Sequence, residues 1–100
     1  MHTIRLGPPW EVASADGTVR HSRKFGRPRT LDPNERVWLV CEHVPGSGEV
    51  TVNGVLVGTL ATAGSFAADI TARLAPRNEV ALVVASEAPL GAVALEIREG

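Results

Sequence analysis

The chain is 100 residues long, with 44% hydrophobic and 21% charged residues, ten Gly and seven Pro. That leaves room for one domain around one core, and it excludes a largely disordered chain or a second, catalytic domain beside the first. A formal net charge of −1 excludes strong overall attraction to nucleic acid or to an anionic membrane, so any such partner would need a local patch.

The first ten residues, Met1 to Trp10, have no apolar h-region of a secretory signal and break at Pro8-Pro9. No apolar run approaches the ~18 to 20 residues that span a bilayer. A cytoplasmic protein without membrane contact is expected. Ile4 and Leu6 alternate with Thr3 and Arg5 as a short strand ending at Gly7, and Trp10 and Val12 open the next. Asp16-Gly17, a hairpin dipeptide, leads into Thr18 to Phe25, where Val19, His21, Arg23 and Phe25 share one face and Thr18, Arg20, Ser22 and Lys24 the other. So polar a strand is expected at a sheet edge, where charge discourages sheet-to-sheet aggregation. Gly26 to Glu35, with Pro28 and Pro33, has no regular period and reads as a crossover loop.

Arg36 to Glu42 places Val37, Leu39 and Cys41 on one face and Trp38 and Val40 on the other, the pattern of a central strand. Asn53-Gly54 is the strongest hairpin signal, joining Val50 and Val52 to a strand from Val55 to Leu60. Ala61 to Ser65 is a small-residue loop, after which Phe66, Ala68 and Ile70 alternate inward. Thr71 can cap one helical turn that Pro76 ends. Val80 to Ala85 is apolar on both faces, and Gly91 to Arg98 alternates Val93, Leu95 and Ile97 against polar or small residues. About eight or nine short strands joined by turns predict an all-β, antiparallel β-sandwich of jelly-roll type, a single domain over residues 1–100.

In order and spacing, Val50-Thr51-Val52-Asn53-Gly54, Phe66-Ala67-Ala68-Asp69-Ile70-Thr71 and Asn78-Glu79-Val80-Ala81-Leu82-Val83, with Arg23-Lys24-Phe25 and Arg36-Val37-Trp38-Leu39 before them, resemble the N-terminal sugar-binding domain of the beta-galactosidase and beta-glucuronidase family of glycoside hydrolases. The resemblance implies a galactose-binding-domain-like sandwich. It also implies that no catalytic residue is present, because that family carries its catalytic carboxylates on a separate barrel. The acidic and aromatic loop that follows the last motif strand in the large enzymes is replaced here by Ser86 to Gly91.

Sugar recognition pairs an aromatic platform with planar polar groups, and Trp10, Trp38, Phe25 and Phe66 are the aromatic residues present. Alternation puts Phe25 and Phe66 in the core. Trp10 and Trp38, with the polar neighbours His21 and Arg23, form the candidate ligand-binding set. Asp69 reads as an acceptor for backbone N–H groups at the helical turn, and Asn53 and Asn78 as turn residues. Arg20 to Arg29 holds five of the ten basic residues, but no helix presents them to a groove and no row of aromatics offers stacking, which argues against nucleic acid. The single cysteine, Cys41, continues an apolar row and reads as a buried thiol; His43 and His21 lack the further ligands a metal site needs. No cofactor is implied. The expected function is a non-catalytic carbohydrate-binding module for soluble oligosaccharides; the alternative is a homodimer or protein-interaction module on the same scaffold.

Overall fold

A computed structural model describes residues 2–99. Nine strands form in chain order among them: β1 (His2–Arg5), β2 (Glu11–Ala15), β3 (Thr18–Gly26), β4 (Glu35–Val44), β5 (Gly48–Val52), β6 (Val55–Leu60), β7 (Gly64–Asp69), β8 (Arg77–Val84) and β9 (Val93–Glu99), with one 3₁₀ turn at Thr71–Arg73. They build two antiparallel sheets, one ordered β1-β9-β4-β7 and the other β2-β3-β8-β5-β6. The expected all-β antiparallel sandwich is the fold that forms. None of the described residues forms a helix long and apolar enough to cross a membrane.

Local chemistry sets the register. Asp16 and Gly17 take φ of 51° and 81°, and Asn53 and Gly54 take 53° and 79°. Positive φ at both central residues matches the right-handed twist of a two-residue hairpin, and these residue types pay least for it. The turns pair Ala15 with Thr18 and Val52 with Val55.

Between the sheets, Val37, Leu39 and Cys41 of β4 and Val93, Leu95 and Ile97 of β9 face Val80, Leu82 and Val84 of β8 and Val50 and Val52 of β5; all are at most 5% exposed. Each such side chain contributes about 1.5–3 kcal/mol through removal from water. Phe25 and Phe66 join this core.

Three local expectations are corrected. Polar β3 is an inner strand between β2 and β8, not an edge. Arg20 and Lys24 lie in solvent on its outer face, and Arg23, on the inward face in register with core residue Val80, anchors part of its guanidinium on backbone carbonyls; the strand tolerates its polar residues although it is paired along both edges. The small-residue loop is shorter than expected, because β7 already begins at Gly64 through pairing with Val44. Thr71 does not cap the helical turn, which has no side-chain cap. Its hydroxyl instead accepts the Val37 N–H at 2.8 Å, while Asp69 Oδ1 accepts the Thr71 N–H at 3.0 Å.

Candidate functional site

The polypeptide crosses from one sheet to the other through Leu6–Trp10. Leu6 N–H donates to the Val93 carbonyl at 2.9 Å, Trp10 Nε1–H donates to the Leu6 carbonyl at 3.0 Å, and Arg23 Nε–H donates to the Gly7 carbonyl at 2.6 Å. The indole N–H and the guanidinium Nε–H therefore hold the crossover in place. Trp10 keeps its ring for apolar contact, since its only polar atom is already used.

Beside the crossover lies a cleft of about 420 Å³, mostly apolar, lined by Leu6, Pro8, Trp10, Val12, His21 and Leu90 among others. β2 is an edge strand of the five-stranded sheet. All five of its residues are exposed, and Val12, in register with His21, stands 60% exposed on the cleft wall.

His21 is 8% exposed, and its Nε2 is buried without a hydrogen-bond partner among the described residues. Burial lowers its pKa from the ordinary value of 6.5, so the neutral ring is favoured at neutral pH. An unmet buried imidazole nitrogen costs about 1–3 kcal/mol. A ligand hydroxyl can offset that cost, whichever tautomer the ring adopts.

Trp10 and His21 are thus brought together, and Arg23 braces the wall beside them. Trp38 is elsewhere. It sits on the outer face of the four-stranded sheet, in register with Asp69 and Glu96, with the Arg98 guanidinium 4.5 Å from its ring centroid. Arg98 is itself held by Glu96 at 2.6 Å, so one face of that indole is covered by a fixed cation. Sequence reasoning did not single out Val12 or Leu90. Val12 was signalled by its inward register on a strand otherwise small or polar, whereas Leu90 belongs to the Ser86 to Gly91 loop, and only tertiary packing places it opposite Trp10's cleft.

The basic stretch does not form a stripe. Arg20 pairs with Glu79 at 3.5 Å and Arg29 with Glu35 at 2.8 Å, on different parts of the surface. Cys41 is buried, which pushes its thiol pKa up and makes it a poor nucleophile. A register shift between Cys41 and Val44 leaves His43 exposed rather than on the buried Cys41 face as alternation implied. Among the described residues no three His, Cys, Asp or Glu side chains gather as metal ligands.

No family model and no curated protein matches the chain. Solved structures do. An FMN-binding beta-glucuronidase from Facaelibacterium prausnitzii L2-6 superposes with a TM-score of 0.77 at 21% identity, over 94% of this chain and 22% of that one. The Bifidobacterium dentium beta-glucuronidase gives 0.74 at 17%, over 83% and 20%. A Bacteroides fragilis chain assigned as a beta-galactosidase gives 0.69 at 26%, over 85% and 16%. The chain spans about a fifth of the length of these proteins. Their similarity covers nearly the whole sandwich and none of the remaining four-fifths, so the chain is a β-sandwich domain of the type built into beta-glucuronidases and beta-galactosidases.

Proposed function

We propose that the chain is a non-catalytic carbohydrate-binding module, and that soluble oligosaccharide binds in the cleft bounded by Trp10, Val12, His21 and Leu90. The observation that carries this reading is the unpartnered, buried Nε2 of His21 in a cleft lined by Trp10. Apolar walls suit the C–H face of a pyranose, and one fixed imidazole suits a ring hydroxyl. The likeness to domains of glycosidases supports a carbohydrate-related role, although fold alone does not assign one. The non-catalytic reading is supported by the lining itself. Glycoside hydrolysis canonically needs two carboxyl groups flanking the bond, and among the described residues none lines the cleft.

The test is a ¹⁵N-HSQC titration with mono- and oligosaccharides, at a concentration where sedimentation also reports the oligomeric state. Shifts at the Trp10 indole and His21 that vanish in Trp10→Ala, with the fold retained, are the expected result. An absence of shifts at tens of millimolar sugar overturns it. A second reading, self-association through β2, is favoured by one observation: all five residues of that edge strand are exposed and none is Lys, Arg or Pro. A concentration-dependent dimer without a sugar response would establish that reading.

A further inference from the structure

Cations are unevenly compensated over this molecule. Of the ten Lys and Arg, Arg20, Arg29, Arg36 and Arg98 each face a carboxylate, at 3.5, 2.8, 2.8 and 2.6 Å. Six form no such pair among the described residues, and four of those six, Arg5, Arg23, Lys24 and Arg27, line a single notch of about 490 Å³ between the β1 edge and the end of β3. Among the described residues no Asp or Glu lines it. Arg23 donates to the Gly7 and Lys24 carbonyls and Arg27 to the Leu74 carbonyl at 2.9 Å. Carbonyl acceptors fix the orientation of these guanidinium groups without neutralising them. Lys24 stands at the rim, in register with Glu79, whose carboxylate is taken by Arg20. Arg5 makes no polar contact among the described residues and belongs to an edge strand, so no further strand blocks its swing.

The notch and the cleft are neighbours. Arg5 and Leu6 line both, one on either side of the crossover that Arg23 braces. We propose that the notch is an anion subsite continuous with the cleft, so that the ligand is an acidic oligosaccharide. Its uncharged rings lie against Trp10 and Val12, and its carboxylate or sulfate ester reaches Arg5, Arg23 and Arg27. This rests on the carbohydrate reading of the cleft and specifies the ligand class. Guanidinium groups held in fixed orientation match the planar, bidentate geometry of such anions. The surplus of positive charge in a concave, partly apolar setting favours an anion over a neutral group.

The experiment compares an acidic oligosaccharide with a neutral one of equal length by HSQC titration, beside inorganic sulfate and a short single-stranded oligonucleotide. The acidic ligand is expected to bind at least about ten-fold more tightly, the scale of one charge-assisted hydrogen bond. It should shift Arg5, Arg27 and the Trp10 indole together and weaken as salt is raised. Arg5→Gln, which removes no observed contact, is expected to bring its affinity down to that of the neutral ligand, while Arg73→Gln, outside both hollows, leaves it unchanged. Equal affinity for acidic and neutral ligands overturns the anion subsite, and Trp10 shifts with both would then preserve the cleft reading. Shifts at Arg5 and Arg27 without Trp10 overturn the continuity of the two hollows. Sulfate or oligonucleotide binding as tight as the saccharide overturns the ligand class.

Discussion

The side-chain amides of Asn53 and Asn78 are hydrogen-bonded to each other, Nδ2 of the first to Oδ1 of the second at 2.9 Å. The β5–β6 hairpin is thereby tied to the start of β8. Asn53 Nδ2 also reaches the Arg73 carbonyl, and its Oδ1 accepts the Glu79 N–H at 2.9 Å. Asn78, 4% exposed, accepts from Ala75 N–H and donates to the Ala75 carbonyl. Both residues were legible as turn residues, yet their larger role is to satisfy the backbone where the 3₁₀ turn meets the sheet.

Asn78→Ala is expected to leave the part-buried Ala75 N–H and carbonyl without their side-chain partner and to take one of two acceptors from the Asn53 amide, costing about 1–3 kcal/mol. Urea unfolding measures it. Asn53→Ala in the same background should add less than it costs alone, because the two residues act in one network; strict additivity would sink that account.

Gly58 is reserved for Phe66. A methyl group at Gly58 would land on the Phe66 ring, where β6 comes against β7. Gly58→Ala is expected to destabilise by about 1–3 kcal/mol through overpacking, and Phe66→Leu in combination should recover part of that loss in thermal unfolding. A neutral Gly58→Ala would mean that the seam between the two sheets is loose at this point.

Two separate acid transitions are expected. His21 has a folded pKa below 6.5 because burial disfavours its charged form; below pH 6.5 the unfolded chain takes the proton first, so stability falls as pH drops from 6.5 toward the folded value. Glu35 is held at about 2, chiefly by the Arg29 side-chain hydrogen bond and then by the Asp32 N–H. Its contribution is present above 4.5 and is lost as pH falls toward 2. Urea midpoints measured from pH 7.5 to 2.5 should show both steps, His21→Gln erasing the upper and Glu35→Gln the lower. A flat profile above pH 5 in the parent chain would contradict the burial of His21.

The two tryptophans should report differently. Arg98 over the Trp38 ring contributes up to about 1 kcal/mol, so Arg98→Gln is expected to shift Trp38 emission with little loss of stability. Trp38→Phe should retain any saccharide response that Trp10→Ala abolishes. The reverse pattern would move the ligand to the outer face of the four-stranded sheet.

What the residues disclosed and what they concealed have physical reasons. Asp16-Gly17 and Asn53-Gly54 disclosed their turns because few residues accept positive φ, and alternation disclosed the core of β4 and β9 because one face of each is sealed and the other half-exposed. Alternation assigns a side chain to a face without saying what lies on that face. It separated Trp38 from Val37 and Leu39 correctly, but could not show that Arg98 from a neighbouring strand covers it while Trp10 stands with His21. The polarity of β3 suggested an edge because Arg20 in solvent and Arg23 bonded to Gly7 are the same residue type in sequence. The irregular pairing after Cys41 depends on β7, so His43's exposure has no local signal.

β2 contributes no buried side chain, yet Val12 on it forms a wall of the cleft. The site is therefore less durable than the molecule that carries it. The ladder between β2 and β3 can come apart at a free energy well below that of global unfolding, so the β2 amides should exchange with deuterium long before those of β8. In mild urea, binding should fade while the core remains intact. A ligand in the cleft would act as the missing half of the packing around β2, and slowed exchange in that one strand would be its signature.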